Sequence, residues 1–304
     1  PYERKSVFDG QGEHQGGFVD LPNGESPNQS WFICFKRMNG PQSPMGRVDF
    51  LEPVQWGDDD WPVFGDAGKP VGQHAKPNVG KTYPITRPAT SDDFSARTLG
   101  LQWQWNHNPV NDHWSLTERP GFLRLKALPA DNLPGAHNTL TQKLWDSAGI
   151  IDVKLDLSGM ADGQHAGLAF QFGHTFGNIG VTQQNGQRHM EWLKTDGPPV
   201  TTATLYLRET CQDTTAHFYY SFDGQSFTDS GAAFKLGFAD WKGSRPALYS
   251  YGPAGYVDID YLHYRYADTL DHATIMPITA AVGHADPSRE VADASREDPS
   301  NSGR

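Results

Sequence analysis

The stretch Ile151-Asp152-Val153-Lys154-Leu155-Asp156-Leu157 decides the fold class. Four branched apolar residues alternate with three charged ones at a period of two. That is the pattern of a strand with one face buried and one face wet. Similar runs surround it. They are Leu101–Trp105, Phe122–Lys126, His165–Phe172, Thr202–Arg208, Ala216–Ser221, Arg245–Tyr251 and Tyr256–Tyr266. Phe222-Asp223-Gly224-Gln225-Ser226-Phe227 reads as a hairpin turn, with Gly224 where a positive φ is needed. Strands of this kind, spread over residues 97–268, specify an all-β sandwich of jelly-roll type.

Upstream, residues 1–70 read as short strands and turns. Pro22-Asn23-Gly24 is a turn signal, Trp31-Phe32-Ile33-Cys34-Phe35 is a strand apolar on both faces, and Met38 to Gly46 is a Pro- and Gly-rich loop. Val48–Trp56 resumes the strand pattern. Such strands need more sheet than this segment supplies. Residues 71–96 are polar and Pro-rich and read as a linker. Residues 269–304 lose all periodicity and read as a polar tail.

Composition narrows the function. The chain of 304 residues has 25 Lys+Arg against 36 Asp+Glu, a formal charge of -11. That balance and the lack of a basic aromatic tract argue against nucleic acid. No run of 18 apolar residues is present, which argues against a membrane span. Nine Trp, 11 Tyr and 16 Phe suit a neutral-sugar ligand, although aromatics also fill sheet cores. Cys34 and Cys211 lie in apolar runs and read as buried free thiols rather than a metal motif. No signal peptide is visible from Pro1. The reading favours a secreted or periplasmic location over a cytoplasmic one.

Phosphate loops, zinc motifs and serine-nucleophile elbows do not occur. The candidates are few. His14 precedes Gln15-Gly16-Gly17, where backbone can approach closely; a loop histidine is the plainer reading. Arg47 follows Gly46 at a strand start and is either a ligand-holding or a salt-bridged arginine. Trp103 and Trp105 share one strand face, which reads as core before sugar platform. Phe234-Lys235-Leu236-Gly237-Phe238-Ala239-Asp240-Trp241 reads as a loop before a strand, where an aromatic could reach a neighbouring site or pack at home. Asp258 and Asp260, two apart on a late strand, could share one face and hold Ca2+, or simply face solvent. Asp58, Asp59 and Asp60 read as a solvated turn.

Four passages carry a resemblance. They are His14-Gln15-Gly16-Gly17 with Trp31-Phe32; Met45-Gly46-Arg47 leading to Pro53-Val54-Gln55-Trp56 and Trp61-Pro62-Val63; Leu101-Gln102-Trp103-Gln104-Trp105-Asn106-His107-Asn108-Pro109; and Trp114 to Leu125, which reads WSLTERPGFLRL. Over roughly residues 1–268 the sequence resembles the C-terminal half of a glycoside hydrolase family 43 enzyme of the β-xylosidase/α-L-arabinofuranosidase type. The resemblance implies the last part of a five-bladed β-propeller in 1–70, followed by a jelly-roll, concanavalin A-like β-sandwich. It implies inverting hydrolysis of terminal xylosyl or arabinofuranosyl residues on xylan or arabinoxylan oligosaccharides.

It also implies a general acid and base that no motif here supplies. They are expected from a missing N-terminal portion or a separate partner chain, without which the chain is expected to be inactive. By the same resemblance His14 is the channel histidine contacting water or Ca2+. Arg47 reaches the sugar, and Phe234 or Phe238 closes the pocket. Ca2+, structural or in the channel, is the expected cofactor, with no organic one. The alternative is a non-catalytic carbohydrate-binding or structural module.

Overall fold

The computed structural model describes residues 5–9, 14–21, 30–37, 43–84 and 86–266. The tail at 269–304, the turn at Pro22–Gly24 and the start of the loop after Arg37 lie outside them. Among the described residues every regular element but two short 3-10 turns is a strand, and no helix is long and apolar enough to cross a membrane.

Four strands come first: β1 (His14–Asp20), β2 (Ser30–Arg37), β3 (Arg47–Trp56) and β4 (Pro62–Phe64). They pair in order as an antiparallel meander, the form of one propeller blade. Then come β5 (Gln104–Trp105), β6 (Trp114–Ser115), β7 (Leu123–Lys126), β8 (Leu140–Thr141), β9 (Ala148–Asp156), β10 (His165–Phe172), β11 (Thr175–Gln184), β12 (Gln187–Trp192) and β13 (Thr195–Pro199). The chain closes with β14 (Thr204–Gln212), β15 (Thr215–Ser221), β16 (Thr228–Lys235), β17 (Phe238–Ala239), β18 (Lys242–Gly243), β19 (Arg245–Tyr251) and β20 (Tyr256–Tyr266).

Two seven-stranded sheets face each other, in the orders β13-β12-β11-β10-β19-β8-β5 and β16-β15-β14-β9-β20-β7-β6. The core between them follows from alternation. Ile151, Val153 and Leu155 of β9 and Ala166, Leu168 and Phe170 of β10 belong to one core cluster, all fully or almost fully buried. Trp103 and Trp105 pack against this core rather than facing a ligand. The Trp103 indole donates to Asp92 Oδ2 at 2.7 Å. Cys34 and Cys211 are buried and free, and Gly224 has φ +73 in its turn.

The polar segment before the sandwich is anchored from its C-terminal end. Thr90 Oγ1 donates to the Tyr264 carbonyl at 2.7 Å, Asp92 bridges Leu262, and Phe94 is 1% exposed. The strands at 175–184, 187–192 and 228–235 have no counterpart in the sequence reading. Gly177, Gly180, Gly186 and Gly231 interrupt their patterns, and glycine is a turn signal when read locally.

Candidate functional site

The first sheet and the sandwich meet at a glycine seam. Gly46, at φ +77, ends the turn Ser43–Gly46, and a Cβ there would lie 2.6 Å from the Gly243 nitrogen. A Cβ on Gly243 would lie 2.1 Å from the Pro44 carbonyl oxygen. Across this contact Ser244 N donates to Pro44 O at 2.8 Å. Only two glycines allow backbone to touch backbone here.

Arg47 opens β3 directly from that seam. Its Nη1 donates to Gln15 Oε1 at 2.6 Å. The guanidinium carbon lies 5.6 Å from the Phe35 ring centroid and 5.4 Å from that of Trp241. Gln15 reaches Arg47 because β1 is bulged between His14 and Gly16, with Gln15 at φ +50. Lys143 of the sandwich donates to the Arg47 carbonyl at 3.2 Å. Burial pushes the Lys143 pKa down, against the pull of Asp49. A planar cation is thus held by one amide and two ring faces, with its position set by both units.

Trp241 closes the stretch Phe234–Trp241 that the sequence marks as able to reach a neighbouring site, although Phe234 and Phe238 were the residues expected to do so. It sits at the tip of the β17–β18 hairpin, 68% exposed, between Ala239 and Lys242. Asp240 and Trp241 have φ +51 and +63, the signs of a type I′ two-residue turn without its usual glycine. Holding two such residues left-handed costs on the order of 1 kcal/mol each. The signal that could have found it was a Trp following Asp, midway between two strand-like pairs.

The other candidates fall elsewhere. Phe234 lies on β16 and packs against the sandwich core. A Cβ on Gly177 would lie 2.3 Å from its ring, and Phe172 lies 5.9 Å away. Phe238 is half-buried at the base of the hairpin, opposite Gly243. Of the three aromatics in this stretch, it is Trp241 at the hairpin tip, and not Phe234 or Phe238, whose ring lies over the Arg47 guanidinium. His14 pairs with Phe35 through the backbone of β1 and β2. Its side chain, and with it any channel water or Ca2+ contact, lies outside the described residues.

Asp258 and Asp260 do not fit a Ca2+ site. Asp258 is 2% exposed and takes a bidentate fork from Arg124, Nε at 2.7 Å and Nη2 at 2.8 Å. Arg119 adds a third bond at 3.1 Å and spans to Asp156 at 2.6 Å. The Asp258 bonds raise the Arg124 pKa. Asp260 sits at the register shift between Ile259 and Tyr261 and pairs with Lys154 at 2.5 Å. Carboxylates already matched by cations leave little attraction for a dication. Among the described residues no group of three or more His, Cys, Asp or Glu is placed to hold a metal.

Comparison with known proteins agrees with this architecture. Residues 91–265 match the family model of the β-xylosidase C-terminal concanavalin A-like domain. A β-xylosidase of Formosa agariphila is 37% identical over 302 residues, covering 87% of this chain and 50% of that protein. A non-reducing end α-L-arabinofuranosidase of Bacteroides ovatus is 41% identical over 98 residues, 32% of this chain and 18% of that protein. A solved bifunctional GH43-CE protein of Bacteroides eggerthii superposes with TM-score 0.74 at 32% identity, covering 88% of this chain and 36% of that one. The chain spans about half the length of the first curated relatives it matches. It belongs to glycoside hydrolase family 43, and its residues 91–265 form the family's C-terminal concanavalin A-like domain.

Proposed function

We propose that this chain is part of an inverting glycoside hydrolase that removes terminal β-D-xylosyl or α-L-arabinofuranosyl residues from xylan or arabinoxylan oligosaccharides. The observation that carries this reading is Arg47, fixed between Phe35 and Trp241 and tied to Gln15 at the seam of the two units. A guanidinium held in this way presents fixed donors to sugar hydroxyls and favours the ionised form of nearby carboxyls. The Trp241 ring supplies an apolar wall for a pentose.

Inversion needs a general acid and a general base about 6.5–9.5 Å apart with a water between them. In this reading both carboxyls come from polypeptide outside these 304 residues, either N-terminal to it or a separate chain. Support comes from the first sheet. Phe18 and Trp56 are 51% and 50% exposed and stack at 5.7 Å. An aromatic face of this kind suits a neighbouring blade.

The test is turnover of a chromogenic β-xyloside and a chromogenic α-L-arabinofuranoside. The chain is assayed alone and with the polypeptide that completes the propeller. Activity is expected only in the mixture, and turnover by the chain alone defeats the assignment. In the assembled enzyme Arg47→Ala is expected to lower kcat/KM at least about tenfold, roughly 1.4 kcal/mol of transition-state binding. Unchanged kinetics would remove Arg47 from the site.

A further inference from the structure

A cavity lies on the outer face of the β10/β19 sheet, walled on one side by the β17–β18 hairpin. Its volume is about 200 Å3, and Gln171, Arg245, Asn106, Asp240 and Lys242 are among its lining. A water occupies about 30 Å3 of liquid, so the space suits one sugar ring rather than a chain. Gly173, at φ +52, lets the hairpin close in. A Cβ there would lie 2.8 Å from the Ala239 Cβ and 3.2 Å from Asp240 Oδ2.

Gln171 and Arg245 are cross-strand partners on β10 and β19. They are 1% and 8% exposed. Arg245 donates through Nη1 to Thr141 Oγ1 at 3.1 Å and through Nη2 to Asn106 Oδ1 at 2.8 Å. Its Nε and the Gln171 Oε1 have no hydrogen-bond partner. A buried donor and a buried acceptor on paired residues are thus each left unmatched, which is costly unless something fills them. Arg245 forms no ion pair among the described residues. Burial works against its charge, and only Asp240 offsets this. With Lys242 the lining carries two cations against the one carboxylate of Asp240, on a chain of formal charge -11.

We infer that this cavity is a binding subsite for a carboxylated sugar unit, a hexuronate. Its carboxylate meets Arg245 at Nε and a ring hydroxyl donates to Gln171 Oε1. A neutral pentose satisfies the amide but leaves the guanidinium uncompensated. A bare carboxylate satisfies the guanidinium but leaves the amide oxygen unmatched. The site shares the hairpin wall with the Arg47 cluster, since Trp241 stands between Asp240 and Lys242, yet it needs neither acid nor base.

Titration calorimetry of the whole chain with sodium D-glucuronate, D-xylose and sodium acetate tests this. Glucuronate is expected to bind one to one, at least about tenfold more tightly than xylose or acetate. Gln171→Glu places a carboxylate beside Arg245, so it is expected to abolish binding while the thermal midpoint holds or rises. Lys242→Glu, on the exposed rim, is expected to weaken binding at least about threefold, and it remains a test should Gln171→Glu not fold. No glucuronate binding leaves a cavity that holds only water and overturns the inference. So does equal binding of xylose or acetate, or binding that both variants leave intact. None of these readouts uses turnover, so failure here leaves the Arg47 reading standing.

Discussion

The first sheet and the sandwich are both built from strands rich in aromatics, yet they bury them differently. In the sandwich, β10 and β19 are buried at nearly every position, including their outward side chains. Their core face meets the opposite sheet. Their outer face is topped by Leu133, which packs with Ala169, Ala247 and Tyr249. In the first sheet Trp31, Cys34, Val54 and Phe64 are buried, while Phe18, Val19, Ile33 and Trp56 are 39–51% exposed. Among the described residues that sheet has no second sheet across it. Burial is conferred by a facing layer and not by the apolar content of a strand. The first sheet therefore leans on its neighbours. It meets the sandwich through the Gly46–Gly243 seam, and it meets the following segment through His74, whose Nε2 lies 2.6 Å from the Leu51 carbonyl and whose ring is 5.0 Å from Trp31.

If the sandwich is the self-sufficient unit, its own ion pairs should matter most. Asp258→Ala removes the bidentate partner of Arg124, 17% exposed, leaving it only Glu118 at 3.3 Å, and leaves Arg119 with Asp156 alone. A loss of about 3 kcal/mol in urea unfolding is expected, and a loss below about 1 kcal/mol would mean that the cluster is solvated. Gly243→Ala attacks the seam instead, since a Cβ has no room beside Pro44. It should cost about 2 kcal/mol. Proteolysis should then cut the first sheet well before the sandwich; simultaneous cutting would erase the distinction.

A smaller change, of opposite sign, is expected inside the sandwich core. Glu209 is fully buried, both its carboxyl oxygens lack a partner, and burial holds its pKa well above the ordinary 4.5. Because the folded pKa is the higher one, stability is full below the unfolded value and falls as pH climbs towards the folded value. Glu209→Gln removes that fall. It should gain about 1–3 kcal/mol at pH 7 and almost nothing near pH 4. A pH-independent difference would refute the assignment.

The smallest effect is at His165, whose Nδ1 lies 2.8 Å from Glu191 Oε2, a hydrogen bond that raises its pKa. The stability it lends is complete below the unfolded value of 6.5 and disappears as pH rises through the raised folded one. Glu191→Gln should flatten stability over that window, read by thermal midpoints across neutral pH, while the Tyr249 hydroxyl keeps an acceptor. An unchanged slope would show that the pair does not titrate with folding.

Much of this was written locally. Alternation along Ile151–Leu157 marked β9 and its inward face. The apolar surroundings of Cys34 and Cys211 marked buried thiols, and Gly224 marked its turn. Arg47 stood out because it follows a glycine at a strand start. What decided the rest was pairing across long separations. Asp258 looked like half of a cation site until β7 and β20 joined and brought Arg124 onto it. Phe234 and Trp241 were indistinguishable as loop aromatics until β16 turned the first inward and a left-handed turn lifted the second over Arg47. Gln171 and Arg245 lie far apart in the chain and become neighbours only through the β10–β19 register. Alternation is a property of one strand and can be read from it. A pocket is a property of which strands meet, and that is settled by the packing of the whole sheet.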